Sequence, residues 1–370
     1  MSALFSPITL RGLTLANRIM VAPMCQYSAD NGEANDWHFT HINTLALSGA
    51  AMFCIEATAV EAIGRITPGC LGLWNDATEA ALKPILASVR KYSKAAVALQ
   101  LAHAGRKASS HTPWDGGQQI PVSQGGWQAE GPSALPHKES EAPPLALDDA
   151  GLARIRDAFV ATAKRAERLG IDAIEVHCAH GYLLHQFLSP ISNRRTDRYG
   201  GSLQNRLRYP LEVFDAVRAA FPSEKPVGIK VSSTDWVDGG WDIEQTIELA
   251  KELKKRGVDW IDASSGGVSP QQKIPLGPGY QVQFAERLKQ AAGVNTIAVG
   301  LITEAKQAED IVASGKADMV ALARGMLYDP RWGWHAAASL GGHVSAPPAY
   351  WRAPPHEQKD LFGETTFGAR

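Results

Sequence analysis

Cysteine is scarce. Cys25, Cys54, Cys70 and Cys178 are the four in 370 residues, and they show no CxxC pair and no metal-cluster spacing. This excludes a disulfide framework and an iron–sulfur or structural zinc module. Charge of one sign is also lacking: the formal net charge is −1, so neither nucleic acid nor a membrane surface is indicated as a partner. No run of roughly 18 apolar residues occurs, which argues against a membrane-spanning helix. The opening MSALFSPITLRG has no basic segment leading into an apolar one, so a cytoplasmic location is expected. A further absence concerns cofactors: the first apolar run ends in MVAPMCQY, in the place where a dinucleotide-binding sheet would carry its Gly-rich turn.

What the chain does have is a repeating unit. Short apolar runs recur at 18–24, 51–60, 96–104, 172–178, 226–232, 260–265, 295–301 and 317–324, separated by more than a crossover length. Apolar on both faces, they suit parallel strands buried on both sides. Helical patterns lie between them. ATEAALKPILASVRKY precedes the third run, and LDDAGLARIRDAFVATAKRAERLG, with an Asp-rich start and a stop at Gly170, leads into the fourth. In TEAKQAEDIVASG, Thr303 is the expected N-cap. Eight strand–helix units predict a single (β/α)₈ TIM barrel spanning residues 1–370, with a doubly wound open sheet as the alternative. Residues 1–17 read as an N-terminal hairpin under the barrel floor, 106–147 as a long βα loop, and 341–370 as a C-terminal extension.

A barrel gathers its strand C-termini on one rim, where active sites are built. Here those ends read PMCQY, EAT, QLAHAGRK, HCAHGY, KVSSTDW, SSGG, VGLI and ARG. Gly300 and Arg324, after the seventh and eighth strands, occupy the usual barrel phosphate site, while Gly266 and Gly267 allow close backbone approach. In EVHCAHGY (175–182) an apolar strand ends in two imidazoles and a phenol. A zinc site would need a third ligand such as His185, yet no HExxH occurs. Structural histidines in a turn are a second reading. A third is that His177 and His180 donate hydrogen bonds to one substrate oxygen while Tyr182 serves as a neutral acid.

At these residues the chain resembles the old yellow enzyme family of FMN-dependent ene reductases. APMCQY, HxxHxY and NRRTDRYGGS carry the likeness, which extends from ANRIMVAPMCQYSADNG to the end of the chain and is strongest for the bacterial thermophilic-like branch. The resemblance implies a non-covalent FMN lined by Pro23, Met24, Cys25, Ala57, Gln100 and His177. Lys230 would face the flavin N1/O2 edge, and Gly300 and Arg324 the phosphate. It also implies ping-pong chemistry: NADPH or NADH reduces FMN, then hydride passes from flavin N5 to an activated alkene (an enone, enal, maleimide or nitroalkene) held by His177 and His180. Tyr182 would protonate the α-carbon. Cys25 would tune the flavin and touch substrate, Tyr27 would touch substrate at the rim, and Arg352 would reach a neighbouring subunit's site from the tail of a homodimer or dimer of dimers. No metal is implied. The sequence departs from the family pattern at Lys230, commonly Arg, and at Ala323, commonly Gly.

Two other functions remain open at the sequence level. Lys230 could form a Schiff base in a colourless isomerase or aldolase, or the barrel could bind flavin without catalysing alkene reduction.

Overall fold

The structure is a computed structural model describing residues 2–365. Eight parallel strands close into one barrel: β1 (Ile19–Val21), β2 (Met52–Ala59), β3 (Ala96–Ala102), β4 (Ala173–Cys178), β5 (Val227–Ser232), β6 (Ile261–Ser264), β7 (Thr296–Ala298) and β8 (Met319–Leu322). Each pairs with its sequence neighbours, and β8 closes on β1 through Val320↔Ile19. All eight match the apolar runs read from the sequence. The open-sheet alternative is thereby ruled out.

The crossover helices are amphipathic, and several carry a side-chain cap. Asn75 caps Asp76–Tyr92 by accepting from the Thr78 amide, and Asp148 caps Asp149–Arg168 through the Gly151 amide. One expectation is corrected. The helix Ala305–Ala313 is preceded by Glu304 in the N-cap position, without a side-chain cap, while the Thr303 amide donates to Gln307 Oε1 at 3.1 Å. Gln307, inside the helix, instead reaches back to hold the amide of Thr303, and Thr303 Oγ1 caps no helix amide among the described residues.

The N-terminal hairpin, Ile8–Leu10 paired with Leu13–Leu15, plugs the barrel floor. Leu10 and Leu15 are buried with Met20, Met52, Met319 and Trp260, each contributing about 1.5–3 kcal/mol by leaving water. At the turn, Arg11 takes a left-handed φ of 53° and its Nε donates to both Asp259 oxygens at 3.0 Å. The floor is thus tied to the strand starts opposite the rim.

Between β3 and Asp149 the chain makes three short 3₁₀ turns and a two-residue ladder, Glu130–Gly131 with Leu145–Ala146. The segment 193–206 fastens this excursion, with Arg195 donating to the Pro132 and Leu147 carbonyls and pairing with Asp197. Beyond the helix Trp332–Leu340, the tail packs Val344, Leu361 and Phe362 against Ala337. Among the described residues, no helix is long and apolar enough to cross a membrane.

Inside the barrel the floor is apolar, but the layer nearer the rim is polar. Gln100, Glu175, Lys230 and Asp262 are all buried there, on adjacent strands. Gly228 makes room for this layer, since a Cβ on it would stand 2.0 Å from the Trp260 indole. Gly228→Ala should therefore displace Trp260 and destabilise the protein by about 1–3 kcal/mol, as core overpacking does. A urea denaturation midpoint indistinguishable from wild type would contradict this packing.

Candidate active site at the strand C-termini

Strand β4 delivers His177, and the turn that follows adds His180 and Tyr182. The His177 ring stands edge-on to both, with centroids 5.2 Å from His180 and 5.1 Å from Tyr182. The Ala179 amide donates to His177 Nδ1 at 3.2 Å, so Nδ1 is an acceptor and Nε2 carries the proton. His180 takes a left-handed φ of 58°, with its amide donating to Ser232 Oγ. Its Nε2 lies 2.7 Å from Ser264 Oγ, and the next hydroxyl, Ser265, donates to Gln281 Oε1 at 2.5 Å. The sequence thus brings the three residues together, and Ser264 is an unforeseen neighbour.

Two further contacts hold this turn. The Gly181 amide donates to His185 Nδ1 at 2.9 Å, leaving His185 Nε2–H to donate to Asp235 Oδ1 at 2.8 Å. Asp235 Oδ2 accepts in turn from Ser189 Oγ and the Trp241 amide. Both members of the pair are fully buried. His185, considered above as a third zinc ligand, is instead a backbone anchor. From the other side, Lys107 Nζ donates to the His180 carbonyl at 2.9 Å and to the Gly267 carbonyl at 3.1 Å. The same ammonium lies 4.9 Å from the Tyr182 ring centre.

Burial sets the charge states. It drives both His177 and His180 well below the ordinary imidazole range; Lys230 adds to the effect on His177, and His177 and Lys230 to that on His180. Tyr182 is pushed well above the ordinary phenol range by burial and then by Cys25 and Tyr27. The cluster is therefore two neutral imidazoles and a protonated phenol. Burial and Arg106 bring Lys107 down to about 8.

Around them, Pro23, Met24 and Cys25 follow β1 and keep part of their surface at the mouth. Burial, then Cys70 and Glu56, hold Cys25 as a thiol, well above its ordinary range. Tyr27, in a left-handed conformation, meets the exposed Trp114 edge-on with centroids 5.7 Å apart. Ala57 is buried at the irregular end of β2. Gln100 Nε2 donates to Glu175 Oε1 at 2.8 Å, and Lys230 Nζ to Asp262 Oδ2 at 2.6 Å. For Lys230, burial favours the neutral amine, but Asp262 and Glu175 outweigh it and shift it upward. A Schiff-base role needs a free amine, so this pairing argues against it. Gly300, at φ 115°, has no room for a side chain: a Cβ would lie 2.7 Å from Gln281 Nε2. Arg324 is exposed at the start of the short helix Arg324–Tyr328. Arg352 lies apart from all of these, on the tail, in a groove with His343, Trp351, Lys359 and Asp360.

A parallel barrel whose rim carries a buried cation, a buried amide and neutral proton donors has the groups that a redox enzyme with an electron-accepting cofactor needs. The chain belongs to the NADH:flavin oxidoreductase / NADH oxidase family, whose profile matches residues 3–341. It is 44% identical over 329 residues to an NADH:flavin oxidoreductase of Gibberella zeae, covering 84% of this chain and 79% of that one. It is 43% identical to an NADPH dehydrogenase of Geobacillus sp. over 351 residues, covering 94% of this chain and 98% of that one. A solved morphinone reductase in complex with tetrahydroNAD superposes with a TM-score of 0.75 at 30% identity, covering 93% and 92% of the two chains. The protein is thus an NAD(P)H-dependent oxidoreductase of old yellow enzyme type with FMN as cofactor.

The residues present fit FMN. Gly300 brings its backbone against Gln281 and Tyr280 without a side chain, and Arg324, whose charge acts on the Tyr280 phenol, offers a cation for a phosphate. Gln100 and Lys230 present an amide and a cation from the barrel interior.

The neutral imidazoles have a measurable consequence. The unfolded chain binds protons at His177 and His180 below about pH 6.5, whereas the folded protein resists doing so. Stability therefore falls as pH drops through that range, by about 1.4 kcal/mol per pH unit for each histidine. The FMN-saturated His177→Asn/His180→Asn variant should lose less stability on acidification than wild type in urea titrations. Equal losses would show that these histidines titrate normally.

Proposed function

We propose that the enzyme reduces the C=C bond of activated alkenes, namely enones, enals, maleimides and nitroalkenes, in a ping-pong cycle. Bound FMN supplies the chemistry of accepting hydride from NADPH or NADH and passing it to the alkene. The observation that carries this reading is the ring cluster at the end of β4, in which His177 stands edge-on to both His180 and Tyr182 and all three are kept neutral by burial.

His177 offers its Nε2–H to the alkene's activating oxygen. In the tautomer in which the Ser264 hydroxyl donates to His180 Nε2, the imidazole proton sits on Nδ1 and His180 donates to the same oxygen. Hydrogen bonds from these donors strengthen as negative charge develops on that oxygen, so they favour the transition state over the neutral ground state. Tyr182, kept protonated by burial, delivers its proton to the α-carbon and recovers it from solvent. Pro23, Met24, Cys25, Ala57, Gln100, His177 and Lys230 line the isoalloxazine, and Gly300 and Arg324 hold the phosphate. Cys25 and Tyr27 contact substrate, and the edge-on packing of Tyr27 with Trp114 supports an aromatic wall there.

Tyr182→Phe should slow alkene reduction by ~10²–10⁴-fold while reduction of the bound cofactor by NADPH stays near the wild-type rate. Anaerobic stopped-flow of each half-reaction separates the two. If only the NADPH half slows, Tyr182 binds nicotinamide and is not the acid.

The tail completes the proposal. Arg352 is remote from its own chain's ring cluster, and a homodimer or dimer of dimers that exchanged tails would place it at a partner's mouth. A chain ending at residue 345 should keep FMN but bind alkene weakly. Mixed under subunit exchange with full-length His177→Ala/His180→Ala, it should regain activity, because the truncated subunit keeps its histidines and receives a tail. Proven hybrids without recovery would place Arg352 in its own subunit's service.

A further inference from the structure

Both polar groups assigned to the cofactor from inside the barrel are gripped from behind by an acid. Gln100 Nε2 donates to Glu175 Oε1 at 2.8 Å, and Trp260 Nε1 donates to the other oxygen at 3.2 Å. Lys230 Nζ donates to Asp262 Oδ2 at 2.6 Å, while Asp262 Oδ1 has no partner among the described residues. Glu175 and Asp262 are wholly buried and Lys230 is 4% exposed. The strands hold them in register: Gln100 faces Glu175, and Lys230 faces both His177 and Asp262. One ammonium, bonded to Asp262 and acting on Glu175 through its charge, thus serves two buried carboxyls, and one full negative charge is left over when both are ionised. Burying an uncompensated charge is costly, and a nearby exchangeable proton relieves it.

We propose that Glu175, Asp262 and Lys230 form a proton-linked charge store behind the flavin site, in which Glu175 takes up one proton from solvent when the cofactor is reduced. This rests on the FMN site and not on alkene chemistry, so it stands or falls without any alkene assay. The balance is simple. Nicotinamide is oxidised and hydride brings two electrons and one proton to the cofactor; a second proton from water bonds to a Glu175 carboxylate oxygen, and no other bond changes. The negative charge gained above the barrel is thereby matched one hydrogen bond below it, behind Gln100.

The groups facing Glu175 are consistent with this role. Cys54 from β2, Gln100 from β3, Lys230 from β5, and Trp260 with Asp262 at β6 surround it, and Lys230 is the one cation among them. Burial, then Asp262, push Glu175 up to about 7, and burial also raises Asp262. Below about pH 7 the proton is therefore already present, and no uptake accompanies reduction. Above it, the extra negative charge draws the proton in. A salt-bridged glutamate that stays ionised throughout would show no such break.

The test is the midpoint potential of the FMN-loaded enzyme, measured by dye equilibration on both sides of pH 7 without alkene. One additional proton per two electrons changes the reduction equilibrium tenfold per pH unit, about 30 mV per pH unit. The wild-type plot should steepen by that amount above pH 7, and Glu175→Gln should follow one straight line. Parallel plots for the two proteins would overturn the proposal. Should Glu175→Gln fail to hold FMN, the reduced-minus-oxidised infrared spectrum of wild type above pH 7 decides. A new protonated-carboxyl band that shifts in D₂O supports uptake, and no carboxyl band refutes it.

Discussion

The site depends on one backbone contact. Gly181 and Gly267 pack against each other so closely that a Cβ on Gly181 would lie 2.1 Å from the Gly267 carbonyl, and one on Gly267 would lie 2.4 Å from the His180 carbonyl. Lys107 clamps the pair by donating to both of those carbonyls. With the β4 turn pressed onto the β6 turn, His180 takes its left-handed conformation, its ring reaches Ser264, and Tyr182 is set at the head of the short helix Leu183–Leu188. The buried Asp235–His185 pair then fixes the remaining free amide of the turn. A ring cluster whose parts must lie within a fraction of an ångström of a productive geometry is held by rigid backbone rather than by mobile side chains.

Exclusion of water works in two ways. At the rim it keeps His177 and His180 neutral and Tyr182 protonated, so the site offers hydrogen bonds without fixed charge. One layer down, the same burial makes Lys230 depend on Asp262 and raises both carboxyls. The cation that the resemblance sets at the flavin edge is therefore partly neutralised from behind. Lys230 meets Asp262 as a compact ammonium through one hydrogen bond at 2.6 Å, where an arginine would present a planar fork.

Much of this was legible in the sequence because it is local. The eight strands are short apolar runs, and HCAHGY sits at the end of one of them, so barrel closure alone brings its three side chains to the rim. The hairpin floor was equally plain. What escaped notice spans the chain: Lys107 meets Gly267 across 160 residues, and His185 meets Asp235 across 50. No pattern in a single sequence specifies such pairs. Glu175 and Asp262 did leave a signal, an acid in the middle of the apolar strands AIEVHC and IDAS. A fully buried strand tolerates an ionisable residue only with a partner, and that anomaly was readable in advance. Thr303 is not the cap because the helix begins one residue later than expected, with Glu304 in the N-cap position and the Thr303 hydroxyl turned to the Glu304 carboxylate.

The central claim is that the two neutral imidazoles at the end of β4 bind a substrate oxygen carrying negative charge. The most direct measurement is an absorbance titration of the FMN-loaded enzyme with a para-substituted phenol, in wild type and in His177→Asn/His180→Asn. Wild type should develop a long-wavelength charge-transfer band as the phenolate seats on the imidazoles. The double variant, still yellow, should bind the phenol far more weakly, because removing a single donor to an oxyanion typically costs about 2.7–4 kcal/mol. The same band at the same affinity in both proteins would contradict the account.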